Sequence, residues 1–264
     1  MGCPYGTLQV VPLVGPLAVL ADVHGNRWAL EAVLEDADSA GAQHFIDLGD
    51  CVAGPLDPCG TARRLMALAA VTVLGNHDRA VLEGDPSPSA AFARERLDGV
   101  QLDWLAGLPP TAQFDGDVFA CHGGPADDTF YLLEEVVDDG VRRRDPASVR
   151  ALLDDISAQL VLCGHTHLPR VLPLAADKVV ANPGSVGCPA YDHDAPYPHV
   201  MESGSPHARY ALLRRRGDTW EVELRTVVYP WHEAAAAARA HDREDWAVAL
   251  ETGLALPTIA RGLP

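Results

Sequence analysis

The chain is poor in basic residues: of its 264 residues, 20 are Lys or Arg and 37 are Asp or Glu, which gives a formal net charge of −17 at pH 7. Two short arginine runs, at 142–144 and 214–216, are interpreted as solvated faces. Polymeric nucleic acids and anionic membranes bind proteins through basic patches, so the composition argues against both as partners. An acidic protein can still act on a small phosphate ester where bound cations reverse the local field.

The six cysteines show no CxxC spacing and no dense framework, which indicates reduced thiols rather than a disulfide scaffold. Long apolar runs are also missing, since residues 8–21 are interrupted by Gln9, Gly15 and two prolines without a basic segment before them. This pattern predicts neither a signal peptide nor a membrane span. Gly6 stands where a myristoylation motif requires Ser or Thr. We expect a cytoplasmic protein.

Apolar runs alternate with helical patterns through the first two thirds of the chain. After the run 16–21, Leu30, Val33, Leu34 and Ala37 recur at helical spacing, with Asn26 near the N-cap. Further helices are predicted near 58–69, 89–97, 101–107 and 146–157. Alternating strands and helices predict an α/β fold with a layered sheet. The length fits one domain over 1–264, with its βα portion at about 16–169.

The C-terminal part, about 170–250, has a different pattern. Two apolar segments flank Asp177 and predict a hairpin, and two alternating segments meet at the favoured turn pair Gly217-Asp218. A closing helix is expected from about Trp231 to His241. The segment 188–207 is rich in Pro, His, Asp and Gly, and we interpret it as a loop.

Each of five apolar runs is followed by residues that can bind a metal. The candidate ligands are Asp22, His24, Asp50, Asn76, His122, His165 and His167. Because the carboxyl ends of strands in an open α/β sheet share one crevice, we expect these side chains to meet. This mixed N/O set without thiolate suits Mn, Fe, Zn, Co or Ni, and seven ligands exceed what one tetrahedral zinc takes. Two ions are therefore expected, with Asp50 between them.

The motifs DVHGN (22–26), GDCVAGP (49–55), GNHD (75–78), CHGG (121–124) and GHTHLP (164–169) resemble those of the calcineurin-like metallophosphoesterases. The motif NPGSVG (182–187) is similar to that of the small bacterial phosphodiesterase-like members. This resemblance implies a four-layer α/β/β/α sandwich of two mixed sheets. It also implies hydrolysis of a small or nucleotide-like phosphate ester by a hydroxide that bridges two metal ions, of which Mn is the first expectation.

The resemblance further implies a role for each residue. The first ion would take Asp22, His24, Asp50 and His167, and the second would take Asp50, Asn76, His122 and His165. His77 would protonate or stabilise the leaving oxygen, and Asp78 would orient His77. Extended backbone is expected to direct His165 and His167 to the same side and to keep His77 away from the metals.

The protein phosphatases of this superfamily carry GDxxDRG, whose arginine binds phosphate, whereas GDCVAGP lacks that arginine. This departure argues against protein phosphatase activity and favours a phosphodiesterase over a phosphomonoesterase. A non-catalytic metal-binding scaffold is the alternative from another class, although His77 and all seven ligands are present. A homo-oligomer remains possible. Candidate substrate contacts are Asn26, Arg79, Tyr191 and His193, for which a helix cap, a surface ion pair and a solvated loop are the competing interpretations.

Overall fold

The computed structural model describes residues 15–68, 70–114, 116–174 and 178–256. Asp177, the centre of one predicted hairpin, lies outside these ranges, as do Gln9 and Gly6. Two five-stranded mixed sheets form the centre of the fold. No helix within the described ranges has the length and apolar character that crossing a membrane requires.

The first sheet has the strand order β14-β13-β1-β2-β3. Its strands are β1 Leu17–Leu20, β2 His44–Asp47, β3 Val71–Thr72, β13 Ala208–Arg216 and β14 Thr219–Val227. The first three are parallel, whereas β13 lies antiparallel to β1 with Ala18 opposite Leu212. The hairpin predicted across Gly217-Asp218 is present as β13 and β14, paired from Ala208–Val227 to Arg216–Thr219.

The second sheet has the order β4-β5-β8-β10-β9. Its strands are β4 Thr111–Phe114, β5 Val118–Cys121, β8 Leu160–Leu162, β9 Arg170–Leu174 and β10 Lys178–Asn182. The strands β5, β8 and β10 are parallel, and the edge strands β4 and β9 are antiparallel to their neighbours. The predicted hairpin at 170–182 is therefore confirmed as β9 and β10.

Eight helices occur in the described ranges. They are α1 Arg27–Ser39, α2 Pro58–Leu68, α3 Asn76–Glu83, α4 Pro88–Arg96, α5 Gly99–Ala106, α6 Pro146–Leu152, α7 Trp231–Ala240 and α8 Glu244–Thr252. The Asn26 side chain caps α1 by accepting from the Ala29 N–H. Leu30, Val33 and Leu34 of α1 are buried, as their spacing predicts.

Most of the buried apolar side chains in the described ranges form three clusters, one between the two sheets and one on the outer face of each sheet. In β1, Leu17 and Val19 pack between the two sheets, and Ala18 and Leu20 pack under the helices, because successive strand residues face opposite sides. The outer face of the first sheet carries α1, α2, α7 and α8, and that of the second sheet carries α6 through Val149. The expected four-layer α/β/β/α sandwich is confirmed.

Several local predictions were wrong. The segment 188–207 contains an antiparallel hairpin, β11 Ala190–His193 and β12 His199–Glu202, which pairs Tyr191 with Met201. Packing of β11 against α8 stabilises strands that the prolines and polar residues disfavoured. A second hairpin, β6 Glu134–Val137 and β7 Gly140–Arg143, was not predicted. Helix α6 ends at Leu152 rather than near 157. Two weak helix formers, Asp154 and Asp155, follow soon after its end.

Candidate metal centre and adjoining cavity

The seven candidate ligands lie where the carboxyl ends of the central strands meet. They follow β1 (Asp22, His24), β2 (Asp50), β3 (Asn76), β5 (His122) and β8 (His165, His167). Backbone groups tie these loops together: the His24 N–H donates to the Asp50 carbonyl over 2.8 Å, and the His165 N–H donates to Asp22 Oδ2 over 3.1 Å. The second bond joins the two sheets at the site.

Left-handed backbone recurs at these positions. The φ angles are +55° at Asp22, +50° at His24, +57° at Asp50, +67° at His165 and +58° at His167. Such angles are uncommon for residues other than glycine and cost on the order of 1–3 kcal/mol each. The expectation that extended backbone aligns His165 with His167 was therefore wrong, because each of these side chains is aimed by a local left-handed turn. Surrounding packing and hydrogen bonds hold that strain at the site.

Asp22, His24 and His167 form the first ligand group, and their donor atoms lie within 4.8 Å of one another. The Nε2 atoms of the two imidazoles are 3.2 Å apart, and Asp22 Oδ1 lies 3.3 Å from His167 Nε2. All three residues are buried. Asp22 Oδ1 has no hydrogen-bond partner among the described residues.

Asp50, His122 and His165 form the second group, also within 4.8 Å. Asn76 joins it, because Asn76 Oδ1 lies 2.9 Å from His122 Nε2. Asp50 Oδ2, the other carboxylate oxygen here without a hydrogen-bond partner in the described ranges, is 3.3 Å from His122 Nε2 and 3.7 Å from His24 Nε2. The Asp50 carboxylate thus faces both groups.

Backbone carbonyls orient the imidazoles. Three of the imidazoles form a hydrogen bond between Nδ1 and a backbone carbonyl. The pairs are His24 with Ala53 at 2.7 Å, His122 with Leu48 at 2.7 Å and His167 with Cys188 at 2.6 Å. In a neutral imidazole, a nitrogen that donates to a carbonyl carries the one proton, so Nε2 keeps its lone pair, directed into the site. His165 is reversed, since its Nε2 faces the Thr129 carbonyl at 3.0 Å, and Nδ1 is then its candidate ligand atom.

Burial and neighbouring charges set the ionisation of the site. Burial raises the pKa of Asp22, but His167 and His122 outweigh it, so that the net pKa lies below its ordinary value. Burial likewise opposes ionisation of Asp50, yet His122 and His77 hold its pKa well below the usual range. Burial lowers the pKa of His24 to about 4. The site therefore combines ionised carboxylates with at least one neutral imidazole.

These donors fit the metals that the resemblance implies. Two buried carboxylate oxygens without hydrogen-bond partners in the described part of the chain face imidazole nitrogens in two adjoining groups. Burial of an unsatisfied carboxylate oxygen is unfavourable unless a cation compensates it. The set holds nitrogen and oxygen donors and no thiolate, which suits Mn, Fe, Zn, Co or Ni.

His77 and Asp78 lie in the first turn of α3 rather than in extended backbone, so the predicted geometry at this point was wrong. The His77 ring lines the cavity above the ligands, and its centroid is 5.3 Å from that of His24. Among the described residues, no hydrogen bond joins Asp78 to this ring. Its buried carboxylate accepts from the N–H groups of Cys51, at 3.0 Å, and Val52, at 3.3 Å, and so fixes the loop that carries Asp50.

The candidate substrate contacts divide into two pairs. Asn26 is fully buried: besides capping α1, its Nδ2 donates to the Gly187 carbonyl and to Tyr229 Oη. Arg79 forms a two-bond ion pair with Asp128, at 2.8 and 2.9 Å, and also contacts Glu83. Neither residue lines the cavity. The helix cap and the ion pair are thus the interpretations that these contacts favour.

Tyr191 and His193 do line the cavity, from β11. The Tyr191 ring packs edge-on against His167 with centroids 4.7 Å apart, and its hydroxyl donates to the His165 carbonyl over 3.2 Å. Tyr131, which the sequence did not single out, continues this network by contacting the Tyr191 hydroxyl at 2.8 Å and His199 Nε2 at 3.1 Å. The sequence of β12 carried no signal for this hairpin, because the buried positions are His199 and Met201 and the exposed residue between them is the apolar Val200.

Comparisons with known proteins agree with this geometry. A family model described as calcineurin-like phosphoesterase matches residues 15–169. An uncharacterised protein of Methanocaldococcus jannaschii is 27% identical over 200 residues, which cover 66% of this chain and 76% of that protein. A metallophosphoesterase structure from Sphaerobacter thermophilus superposes with a TM-score of 0.66 at 24% identity, covering 86% of this chain and 94% of its own. The structure of a candidate diadenosine tetraphosphatase gives 0.53 at 21% identity, with 83% and 98% covered. At these identities the two structures establish the shared fold.

Proposed function

Because the chain belongs to the calcineurin-like phosphoesterase family, we propose that it is a dinuclear metal-dependent phosphodiesterase of small or nucleotide-like phosphate esters. One observation carries the proposal: two buried carboxylate oxygens without hydrogen-bond partners among the described residues, Asp22 Oδ1 and Asp50 Oδ2, each stand against imidazole nitrogens in adjoining groups. Asp50 faces both groups and is the proposed shared ligand.

In this proposal Asp22, His24 and His167 hold the first ion, and Asn76, His122 and His165 hold the second. Two divalent or transition-metal ions, Mn being the first expectation, supply Lewis acidity that polarises the phosphoryl group and activates the attacking water. His77 lies at the cavity wall beside His24 and is placed to give a proton to the leaving oxygen. Asp78 acts as a positioning residue by holding the backbone next to Asp50.

The diester preference rests on the residues that face the scissile phosphate. GDCVAGP lacks the phosphate-binding arginine, and Arg79, the nearest substitute in sequence, is engaged by Asp128. Without a fixed guanidinium, a dianionic monoester loses more stabilisation than a monoanionic diester does. We also propose one domain over 1–264, because β13 pairs with β1 in the first sheet. A cytoplasmic location is proposed because the five described cysteines are free thiols.

A screen of metal-stripped protein reloaded with Mn, Fe, Zn, Co or Ni against monoesters, diesters and linear and cyclic nucleotides tests this proposal. We expect hydrolysis that depends on the added metal and is fastest for diesters. Absence of turnover with every metal and ester, in protein that binds two ions, would instead support a metal-binding scaffold.

A further inference from the structure

A cavity of about 780 Å³ opens above the ligand groups. It is large beside one phosphate group and falls within the range of pockets that enclose whole small molecules. The metal ligands His24, Asp50 and His165 occupy only part of its lining. The remaining space is therefore available to the organic group that the phosphate esterifies.

The walls of this space are largely aromatic and apolar. The rings are Phe130, Tyr131, Tyr191 and Trp246. Trp246, on α8, packs edge-on against the ligand His24 with centroids 5.8 Å apart, so this wall begins at the metal centre. Val136, Ala190, Ala249 and Leu256 add apolar surface. Such walls favour a planar or alkyl substituent over a strongly hydrated one.

The lining also carries acidic and basic side chains besides the metal ligands. They are the acids Asp127, Glu135, Asp192 and Asp245 and the arginines Arg144 and Arg243. Glu135 is also paired at 2.8 Å with Arg142, which does not line the cavity, so four acids against three arginines leave a formal excess of one negative charge. Two divalent ions held by Asp22 and Asp50 would make the metal-ligand end of the cavity positive.

Both arginines of the lining already have partners. Arg243 forms two bonds with Asp245, at 2.9 and 2.8 Å, and a third with Ser89 Oγ at 3.2 Å. Arg144, part of a run expected to be a solvated face, is instead only 17% exposed. Its Nη2 donates to the carbonyls of Tyr131 and Glu134, and its Nη1 lies 3.9 Å from Oε2 of Glu135. A second anionic group of a substrate would have to compete with these contacts.

Given the proposed phosphoesterase function, on which this step rests, we infer that the cavity selects substrates whose organic group carries no negative charge. The scissile phosphate is then the one anionic group of a good substrate, and the remainder is neutral or cationic. A polyphosphate or a bisphosphorylated nucleoside would bring a second phosphate against a lining in which the acids outnumber the arginines. At about 8 Å and an effective dielectric constant of about 40–80, each added pair of like charges costs about 2- to 6-fold in binding.

A matched pair of esters tests the inference: thymidine 5′-(p-nitrophenyl phosphate) and its 3′-phosphorylated derivative. Both release p-nitrophenol, and they differ by one phosphate. We expect the Mn-loaded protein to show kcat/KM at least about fivefold higher for the unphosphorylated ester, with the ratio shrinking as NaCl is raised from 20 to 300 mM because salt screens the repulsion. Equal or faster hydrolysis of the phosphorylated ester overturns the inference.

A second experiment removes negative charges from the cavity by substitution. Glu135→Gln with Asp192→Asn should raise the ratio of kcat/KM for the phosphorylated ester to that for the unphosphorylated ester about 3- to 10-fold. The control, Asp218→Asn with Glu221→Gln in the β13–β14 hairpin, removes two acids that do not line the cavity and should change neither rate. An unchanged ratio in a cavity variant with wild-type Tm contradicts the inference.

Binding separates failure of the inference from failure of the proposed function. Calorimetry on the Mn-loaded protein compares thymidine 5′-phosphate with thymidine 3′,5′-bisphosphate and requires no turnover. Weaker binding of the bisphosphate supports selection by charge, whether or not the two esters are hydrolysed. Absence of hydrolysis would count only against the proposed phosphodiesterase activity. Tighter binding of the bisphosphate overturns the inference whatever the activity.

Discussion

The backbone N–H of His77 donates a hydrogen bond of 2.8 Å to Oδ1 of Asp50. One hydrogen bond therefore joins the backbone of the proposed proton donor to the side chain of the proposed shared metal ligand. It leaves Asp50 Oδ2, the oxygen without a hydrogen-bond partner in the described part of the chain, directed at the imidazoles. Since α3 begins at Asn76, the positive end of this helix also lies at the Asp50 carboxylate.

Replacing His77 by Gln should keep both metals bound while slowing turnover. General acid catalysis contributes about 10²- to 10⁴-fold, and it matters most for a basic leaving group, so the loss should be largest for alkyl or nucleoside esters and small for p-nitrophenyl esters. Rates across leaving groups of graded pKa, with metal content by mass spectrometry, measure both effects. His232→Gln, which changes an exposed histidine, is the control. An equal loss for every leaving group would assign His77 to phosphate binding, and loss of metal would make it a ligand.

Asp50→Asn should impair both ion sites, because the Asp50 carboxylate faces both ligand groups. An amide keeps the hydrogen-bonding shape and removes the charge that two cations would share. We expect well below two ions per chain and near-complete loss of hydrolysis, measured beside the surface control Asp218→Asn. Full occupancy with normal turnover would exclude a shared role for this carboxylate.

Substrate preference follows from the engaged arginines. We expect kcat/KM for bis-p-nitrophenyl phosphate to exceed that for p-nitrophenyl phosphate. The motif GDCVAGP contains no arginine, and Arg79 is bonded to Asp128, so neither offers a guanidinium to a dianion. Both esters release the same phenol, so the comparison keeps the leaving group constant. A monoester preference that persists across several leaving groups would refute this.

Asp36 of α1 provides a prediction about stability. Its carboxylate accepts from Arg225 Nε on β14 over 2.8 Å and from the Tyr210 hydroxyl over 2.6 Å, and the Arg225 hydrogen bond lowers its pKa against the opposing effect of burial. A lowered folded-state pKa stabilises the fold above the unfolded-state pKa, near 3.8, and this contribution is lost as pH falls below it.

Asp36→Asn should therefore lower the free energy of unfolding at pH 7 by about 1 kcal/mol, a value reduced by partial solvent exposure. The difference from wild type should shrink toward pH 3. Denaturant titrations at both pH values measure it, with the exposed Asp38→Asn on the same helix as the control. A pH-independent difference, or none at pH 7, would show that the Arg225 contact contributes no net stability.

Most central strands and helices, and the side chains that the fold brings together at the strand ends, were predictable because strand-end motifs and hydrophobic periodicity are local signals. Asn26 as a helix cap and the β13–β14 turn are such cases. The left-handed turns at His165 and His167 were not predictable, since tertiary contacts impose them against the intrinsic preference. The role of Asp78 depends on Cys51, a residue 27 positions away, and the β11 hairpin depends on α8, so neither could be inferred from local pattern.

The central claim is that two metal ions bind side by side and that hydrolysis requires both. The most direct measurement titrates Mn into metal-stripped protein while ions bound per chain and diesterase activity are followed in the same samples. The account predicts saturation at two ions per chain, with activity rising mainly as the second site fills. Full activity at one ion per chain, or hydrolysis by protein that holds no metal, would contradict it.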